Sequence, residues 1–373
     1  MFCEIEVADE HWIARRESSL RDVTLVLGEL DGECAQMMNA LIDHLLTLNM
    51  LDKSRLVKSP AFQKALRTLT DDILGVYDST DEASATNVCI RLRESVKALG
   101  TVIATDFGLS ELPKVGWIQI VTGATAAQFN AGSEYGIEID STIDVPSWET
   151  ATRSALELIA LSHDNYTLVQ TFVSYIVPLK QREVVQNLSF SSREMPNVIF
   201  KNNEVSPLRF GETLVHEADH QFFYALEECH MFWTIEPRFQ AAAHFSPWRD
   251  DSRPLDGILR GLSAFTRVAL YYVGVLRNDF DHFVEVAGPL LMQRIVECMD
   301  AASTLTQSEQ LSLAGTAYVY ELTGALRKAE QSVTIHQDYV KWRFDALTTL
   351  ATRREKWRLC RLVDPSEITQ DYL

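Results

Sequence analysis

The sequence predicts an α+β fold, predominantly α-helical, with a small sheet preceding an H-E-x-x-H helix and a helical C-terminal region after it. Three observations carry this reading. Apolar residues recur at helical spacing through about the first hundred positions and again from Pro254 to about Leu362. Short runs rich in β-branched and aromatic residues are confined to the middle, between Trp117 and Lys201. Between those runs and the helical remainder stands Glu212-Thr-Leu-Val-His216-Glu217-Ala-Asp-His220-Gln. A helix that follows a small sheet and carries this motif is the order zincin-type proteins use.

The elements follow in turn. Asp31 to Leu48 and Ala61 to Val76 carry apolar residues at helical intervals, and Asp78-Ser-Thr-Asp-Glu-Ala reads as a polar connection to a helix from Ala85 to Leu99. From Gly116 the pattern shortens to strands at Trp117–Thr122 and Tyr135–Asp140. Pro146-Ser-Trp-Glu opens a helix to about Leu161, since proline fits a first helical turn and Glu149 complements its dipole. A short helix over Asn165–Phe172 precedes strands at Tyr175–Leu179, Asn187–Phe190 and Asn197–Lys201, and the motif helix spans Pro207–Glu228. Four long helices are expected at Leu255–Leu276, Gly288–Ala302, Ser308–Gln331 and Tyr339–Leu362. The chain divides into an N-terminal helical region, 1–112, and a metal-binding catalytic domain, 113–373, without internal repeats.

Composition narrows the classes. The 373 residues are 46% hydrophobic and 23% charged, enough apolar material for a real core. A formal net charge of −18 argues against nucleic acid and anionic membranes and favours a basic partner such as a cationic peptide. Met1-Phe-Cys-Glu-Ile-Glu has no basic n-region or apolar h-region, and Val268–Leu276 is too short to span a bilayer. The six cysteines are scattered without C-x-x-C spacing and read as reduced thiols. A cytoplasmic protein is expected.

The motif carries the chemistry. His216 and His220 lie one helical turn apart on one face, where two imidazoles can hold a single ion, and Glu217 sits at the edge of that face near a metal-bound water. Two core histidines on a buried face are the plain alternative; Glu217 argues against it, because an unpaired buried carboxylate is costly. Zinc or non-haem iron needs at least a third protein ligand. Glu227 and Glu228 lie two turns beyond His220, about 12 Å along the axis, and read as a solvated or salt-bridged helix end. Glu236, His244, Asp250, Asp251 and His336 are the remaining candidates.

A second informative stretch runs from Phe245 to Phe265, with Arg249, Asp250, Asp251, Arg253 and Pro254 before a helix. In one reading Asp251 or Ser252 caps the helix, Pro254 begins it and the arginines pair with the aspartates. In the other, a guanidinium beside the metal grips a carboxylate in bidentate fashion. Gly257 and Gly261 would let this helix approach another closely, the metal helix being the expected partner.

The run Glu-Thr-Leu-Val-His216-Glu217-x-x-His220, then Pro247-Trp248-Arg249-x-Asp251-x-Arg253-Pro254, then Gly-Ile-Leu-x-Gly-x-x-Ala-Phe265, resembles the H-E-x-x-H proteins of bacterial peptide natural-product clusters. The same module occurs fused to some radical-SAM peptide maturases. Lys356-Trp357-Arg358-Leu-Cys-Arg361 is similar to that family's C-terminal segment, and the likeness spans roughly Leu156 to Pro365. The resemblance implies an iron(II)- and 2-oxoglutarate-dependent β-hydroxylase acting on a ribosomally made precursor peptide. His216 and His220 would hold iron, and an arginine would take the distal carboxylate of 2-oxoglutarate, Arg253 first, with Arg249 and Arg358 behind it. The chain departs from the family on one helix, with Arg260, and with Phe265 where a polar residue, often His or Gln, can stand. If either position supplies a ligand in the family, the third ligand here differs or is missing.

Two other readings compete. A zinc metallopeptidase would use Glu217 as general base, yet the glutamate expected on the following helix is absent from Leu255–Leu276. A peptide-binding protein with a decayed site is the third; retention of His216, Glu217 and His220 counts against it. An edge strand, with Asn197–Lys201 as the candidate, would take an extended peptide by strand addition.

Overall fold

A computed structural model describes residues 112–123, 138–180, 188–193, 195–204, 206–234, 244–278 and 280–363, together with Phe129 and a scatter of helical positions between 14 and 99. The helices expected near the N-terminus fall partly on those positions, and their remaining residues lie outside the described set. The observed order is β1 (Lys114–Val115), β2 (Ile118–Ile120), α1 (Val145–Ile159), α2 (His163–Phe172), β3 (Tyr175–Leu179), β4 (Ser189–Ser192), β5 (Met195–Asn202), α3 (Pro207–Cys229), β6 (His244–Phe245), β7 (Ser252–Arg253), α4 (Leu255–Asn278), α5 (Phe280–Gln307), α6 (Leu313–Gln331) and α7 (Tyr339–Val363). The fold is α+β and predominantly helical, as the periodicities predict. The residues cluster into two compact units, Met1–Arg153 with Gln170–Val205, and Ser154–Val169 with Ser206–Leu373.

The first unit holds a five-stranded mixed sheet in the order β1-β2-β3-β5-β4. The β1 and β2 strands are joined by a two-residue turn in which Gly116 takes φ 61°, a conformation costly for a side chain. The β2–β3 and β3–β5 pairs are parallel and β5–β4 is antiparallel. Every residue of β3 is buried, which is why Tyr-Ile-Val-Pro-Leu reads as an unbroken apolar run. Val121, Phe129, Tyr175, Val177, Val198 and Phe200 form the core here, and Phe190 stacks on Phe200 at 4.5 Å. The sheet corrects two expectations. Asn197–Lys201 is not an edge but an interior strand, paired on both sides by β3 and β4. Of the strand expected at Tyr135–Asp140, the described part is a single bridge from Ile139 to Leu179.

The second unit carries α3 to α7 together with Ser154–Val169. Ser206 caps α3, its hydroxyl accepting from Arg209 N, and Pro207 supplies a preset φ at the first turn. The α4 helix packs against α3, α5 and α6, and α5 also carries α6 and α7. Helix α5 runs through Pro289 and is longer than its apolar period suggested; α6 starts later than Ser308 because Ser312 caps it, accepting from Gly315 N at 3.1 Å. Contacts between α3 and α4 run antiparallel: Glu212 meets Tyr272, His216 meets Phe265, and Glu227 meets Arg260. The glycine that admits the neighbouring helix is Gly211, where an added Cβ would fall 2.4 Å from the Tyr271 hydroxyl. Gly261 instead faces the Trp248 indole and Gly257 faces Arg253 and Pro254, which corrects the expectation that this pair seats the metal helix. Among the described residues no helix is long and apolar enough to cross a membrane.

Candidate metal centre

Residues 212, 216, 220, 224 and 227 fall on one face of α3, at intervals of four or three. The His216 and His220 rings meet edge to face, with centroids 4.5 Å apart and planes at 83°. Each ring is half-buried, but each Nδ1 is sealed from solvent and has no hydrogen-bond partner among the described residues. Burial, reinforced by Arg294, lowers the His216 pKa to about 3. Burial, His216 and Arg260 together hold His220 well below its ordinary value. Both imidazoles are therefore neutral near pH 7, which is the form that ligates a metal. The buried Glu217 sits between them in sequence.

The α4 side of the pair is aromatic and cationic. Phe265 packs on His216 with ring centroids 4.6 Å apart and on Trp248 at 5.0 Å. The Arg294 guanidinium lies 4.4 Å from the Phe265 centroid, close enough for a cation–π contact. Arg294 is largely buried and bonds Glu212 at 3.0 Å and Glu297 at 2.8 Å. Burial works against its charge, but Glu212 and Glu297 more than offset that, so its pKa is raised. Glu212 also accepts from Arg209 at 2.5 Å and Tyr272 at 2.7 Å, and Glu297 from Arg353 at 3.0 Å. This chain of charges ties α3, α4, α5 and α7 together behind the histidines. Further along, Arg260 pairs with Asp256 at 2.8 Å and Glu227 at 3.5 Å and lies over Tyr224 at 5.7 Å. Glu227 is thus a salt-bridged helix end.

On the adjoining face of α3, Asp219 is fully buried and pairs with Arg267, itself 2% exposed, at 3.2 Å. It also accepts from the Ser263 hydroxyl at 2.6 Å, and that hydroxyl meets Tyr318 at 2.7 Å. Burial raises the Asp219 pKa, while Arg267 and Ser263 oppose that shift. The motif's fourth residue therefore fixes the rotation of α3 against α4, and with it where the histidines point.

The segment before α4 is a short ribbon. The β6 and β7 strands pair antiparallel, with His244 opposite Arg253, so Ser252 lies in a strand and Leu255 opens the helix. Asp251 accepts from both Arg249 and Arg253, each at 2.9 Å. The C-terminal helix holds this ribbon at four points. Arg353 donates to the Pro247 carbonyl, Arg354 covers the Phe245 ring at 4.7 Å, Lys356 pairs with Asp250 at 2.5 Å, and Trp357 Nε1 donates to Ser252 Oγ at 2.9 Å. Arg358 is exposed and lies 3.9 Å from Glu355 on its own helix.

Two neutral imidazoles on one turn match the donors iron(II) or zinc takes from histidine, so that part of a site fits. Among the described residues, no group of three or more His, Cys, Asp or Glu residues could hold a metal ion. Asp250 and Asp251 are engaged with Lys356 and with the two arginines, and His336 stacks on Trp342 at 4.5 Å. His244 sits in β6, and Glu236 lies outside the described residues. Sequence reasoning passed over Asp219, Arg267 and Arg294. Their one signal was a charged residue on an otherwise apolar helix face, such as Arg294 with Glu297 three positions on. No family model and no curated protein matches this chain.

Proposed function

We propose that the chain is an iron(II)- and 2-oxoglutarate-dependent oxygenase that hydroxylates the β-carbon of a residue in a ribosomally made peptide. The observation that supports it best is a pair of imidazoles one turn apart on α3, each with an Nδ1 sealed from solvent and without a hydrogen-bond partner among the described residues. When bound, iron(II) with 2-oxoglutarate and dioxygen supplies the oxidising power for C–H hydroxylation, with succinate and carbon dioxide as co-products. His216 and His220 hold the ion. Phe265 packs on His216 and Trp248 packs on Phe265, an apolar wall on the α4 side of the pair. Arg253, a quarter exposed and shared with Asp251, takes the distal carboxylate, with Arg249 and Arg358 as the other cations considered. Glu217 in this reading helps orient water or hydrogen-bonds a ligand and need not act as a base.

A zinc metallopeptidase is the second reading, favoured by the buried Glu217 inside the motif, which would serve as general base. One experiment separates them. The protein is incubated with the candidate precursor peptide, iron(II), 2-oxoglutarate and dioxygen, or with zinc alone, and the peptide mass and succinate are followed. A one-oxygen mass gain matched by succinate, lost in His216→Ala and only weakened in Glu217→Gln, supports the oxygenase. Zinc-dependent cleavage that collapses in Glu217→Gln overturns it in favour of the peptidase. A peptide that binds unchanged under both conditions identifies a binding protein with a decayed site.

A further inference from the structure

The largely buried guanidinium of Arg294, on α5, meets three helices at once. Its terminal nitrogens donate to different carboxylates, Nη2 to Glu212 on α3 at 3.0 Å and Nη1 to Glu297 on its own helix at 2.8 Å. Its Cζ lies over the Phe265 ring of α4, 4.4 Å from the centroid. Phe265 in turn packs on His216, with ring centroids 4.6 Å apart. Neither carboxylate moves freely with the arginine: Glu212 also accepts from Tyr272 at 2.7 Å, and Glu297 from Gln293 at 2.9 Å and Arg353 at 3.0 Å. Glu212 stands one turn before His216 on the same face of α3, so Arg294 is anchored to the helix whose imidazole the ring meets. A buried ion cluster of this kind adds little net stability, because desolvation offsets its attraction. What it supplies here is direction. A planar fork serves two carboxylates while its body covers a ring, which an ammonium on a flexible stem does not.

Resting on the metal-binding part of the proposed function, which the oxygenase and peptidase readings share, we infer that Arg294 is a positioning residue for the His216–His220 pair. It holds Phe265 against His216 and so fixes the direction of that imidazole before an ion arrives. The shape of the guanidinium carries this role; its charge is offset by Glu212 and Glu297. Arg294 touches no ligand itself and acts only through the Phe265 ring.

The test is cobalt(II) binding to the full-length protein, followed by calorimetry and visible absorption, with urea unfolding of the metal-free protein alongside. Arg294→Lys keeps the positive charge and is expected to weaken cobalt(II) binding about tenfold, the lower end of what groups just outside a metal's ligands contribute. Phe265→Leu keeps an apolar side chain and should weaken it by a similar factor. The double variant should bind no more weakly than either single one, because all three lose the same contact. Wild-type cobalt(II) affinity in Arg294→Lys, with only the urea midpoint lowered, marks a merely structural residue and overturns the inference. Losses that multiply in the double variant also overturn it, since Arg294 then acts by a path other than Phe265. Should Arg294→Lys fail to fold by circular dichroism, Glu297→Gln, which loosens the hold on Arg294, takes its place in the cycle with the same expectations. Wild-type protein that binds no cobalt(II), or binds it no better than His216→Ala, removes the metal reading and the inference together. Binding that needs His216 and ignores Arg294→Lys removes the inference alone.

Discussion

Replacing Gly261 with alanine puts a methyl carbon 2.1 Å from Trp248 Cζ2 and 2.5 Å from Cε2. Carbon atoms in contact sit about 3.5–4.0 Å apart, so the indole must retreat by roughly 1.5 Å. The obstacle is a fused ring that leans on Phe265, not the end of a flexible chain, and overpacking of that kind costs about 1–3 kcal/mol. Alanine also gains up to about 1 kcal/mol over glycine in a helix. Gly257→Ala is the internal control on the same helix. Its added Cβ meets Arg253 Cδ and Pro254 Cδ at 3.7 Å, ordinary contact, so it keeps the helical gain without the clash. The difference between the two variants isolates the clash at about 1–3 kcal/mol. Urea unfolding monitored by far-UV circular dichroism measures it, with Gly257→Ala moving the midpoint up and Gly261→Ala moving it down. Equal midpoints would refute the packing of Trp248 on α4, and with it the route by which the 245–253 ribbon supports Phe265.

Further outcomes are expected. Asp219→Ala leaves Arg267 buried without its partner and should cost about 3–5 kcal/mol in urea unfolding, much of it recovered in Asp219→Leu with Arg267→Met, an apolar pair of similar bulk. The folded-state pKa of His216, about 3, lies below the unfolded value near 6.5, so the unfolded chain gains its proton first as pH falls. Stability of the metal-free protein is therefore full above about pH 6.5 and declines by about 1.4 kcal/mol per pH unit for this imidazole between about pH 6.5 and pH 3. His220 acts in the same direction, and denaturant midpoints at pH 7 and pH 5, with His216→Leu flattening the decline, check it. Trp357→Ala removes the bond to Ser252 and the ring contact with Phe245 and should expose the 245–253 ribbon to trypsin at Arg249, seen as faster nicking with little change in helix content.

Much of the helical architecture was legible because α6 buries one stripe at helical spacing, while α3 and α4, buried over most of their surface, read as long apolar segments. The start of α3 at Pro207 was also legible, since proline acts locally, whereas the cap at Ser312 was missed and α6 was expected from Ser308. Strand order was not legible. Asn197–Lys201 looks the same in sequence whether it lies at an edge or between β3 and β5, because pairing depends on residues far away in the chain. Gly257 and Gly261 showed that something approaches α4, but not that the visitor at Gly261 is Trp248 from the preceding ribbon. At the candidate site, His216 and His220 were readable from their interval alone. Their environment was not: Arg294 reaches Phe265 from a helix about thirty residues further on, and Asp219 meets Arg267 only when α3 and α4 pack. The Lys356-Trp357 segment likewise acquired a physical role only once its contacts with Asp250 and Ser252 were seen.

The most direct test of the central claim is anaerobic reconstitution with iron(II), followed by addition of 2-oxoglutarate under a visible absorption spectrum. The account predicts a metal-to-ligand charge-transfer band that requires His216 and His220, bleaches on exposure to oxygen, and leaves succinate. No band despite verified iron loading, together with tight zinc binding and cleavage of a generic peptide library, would contradict it.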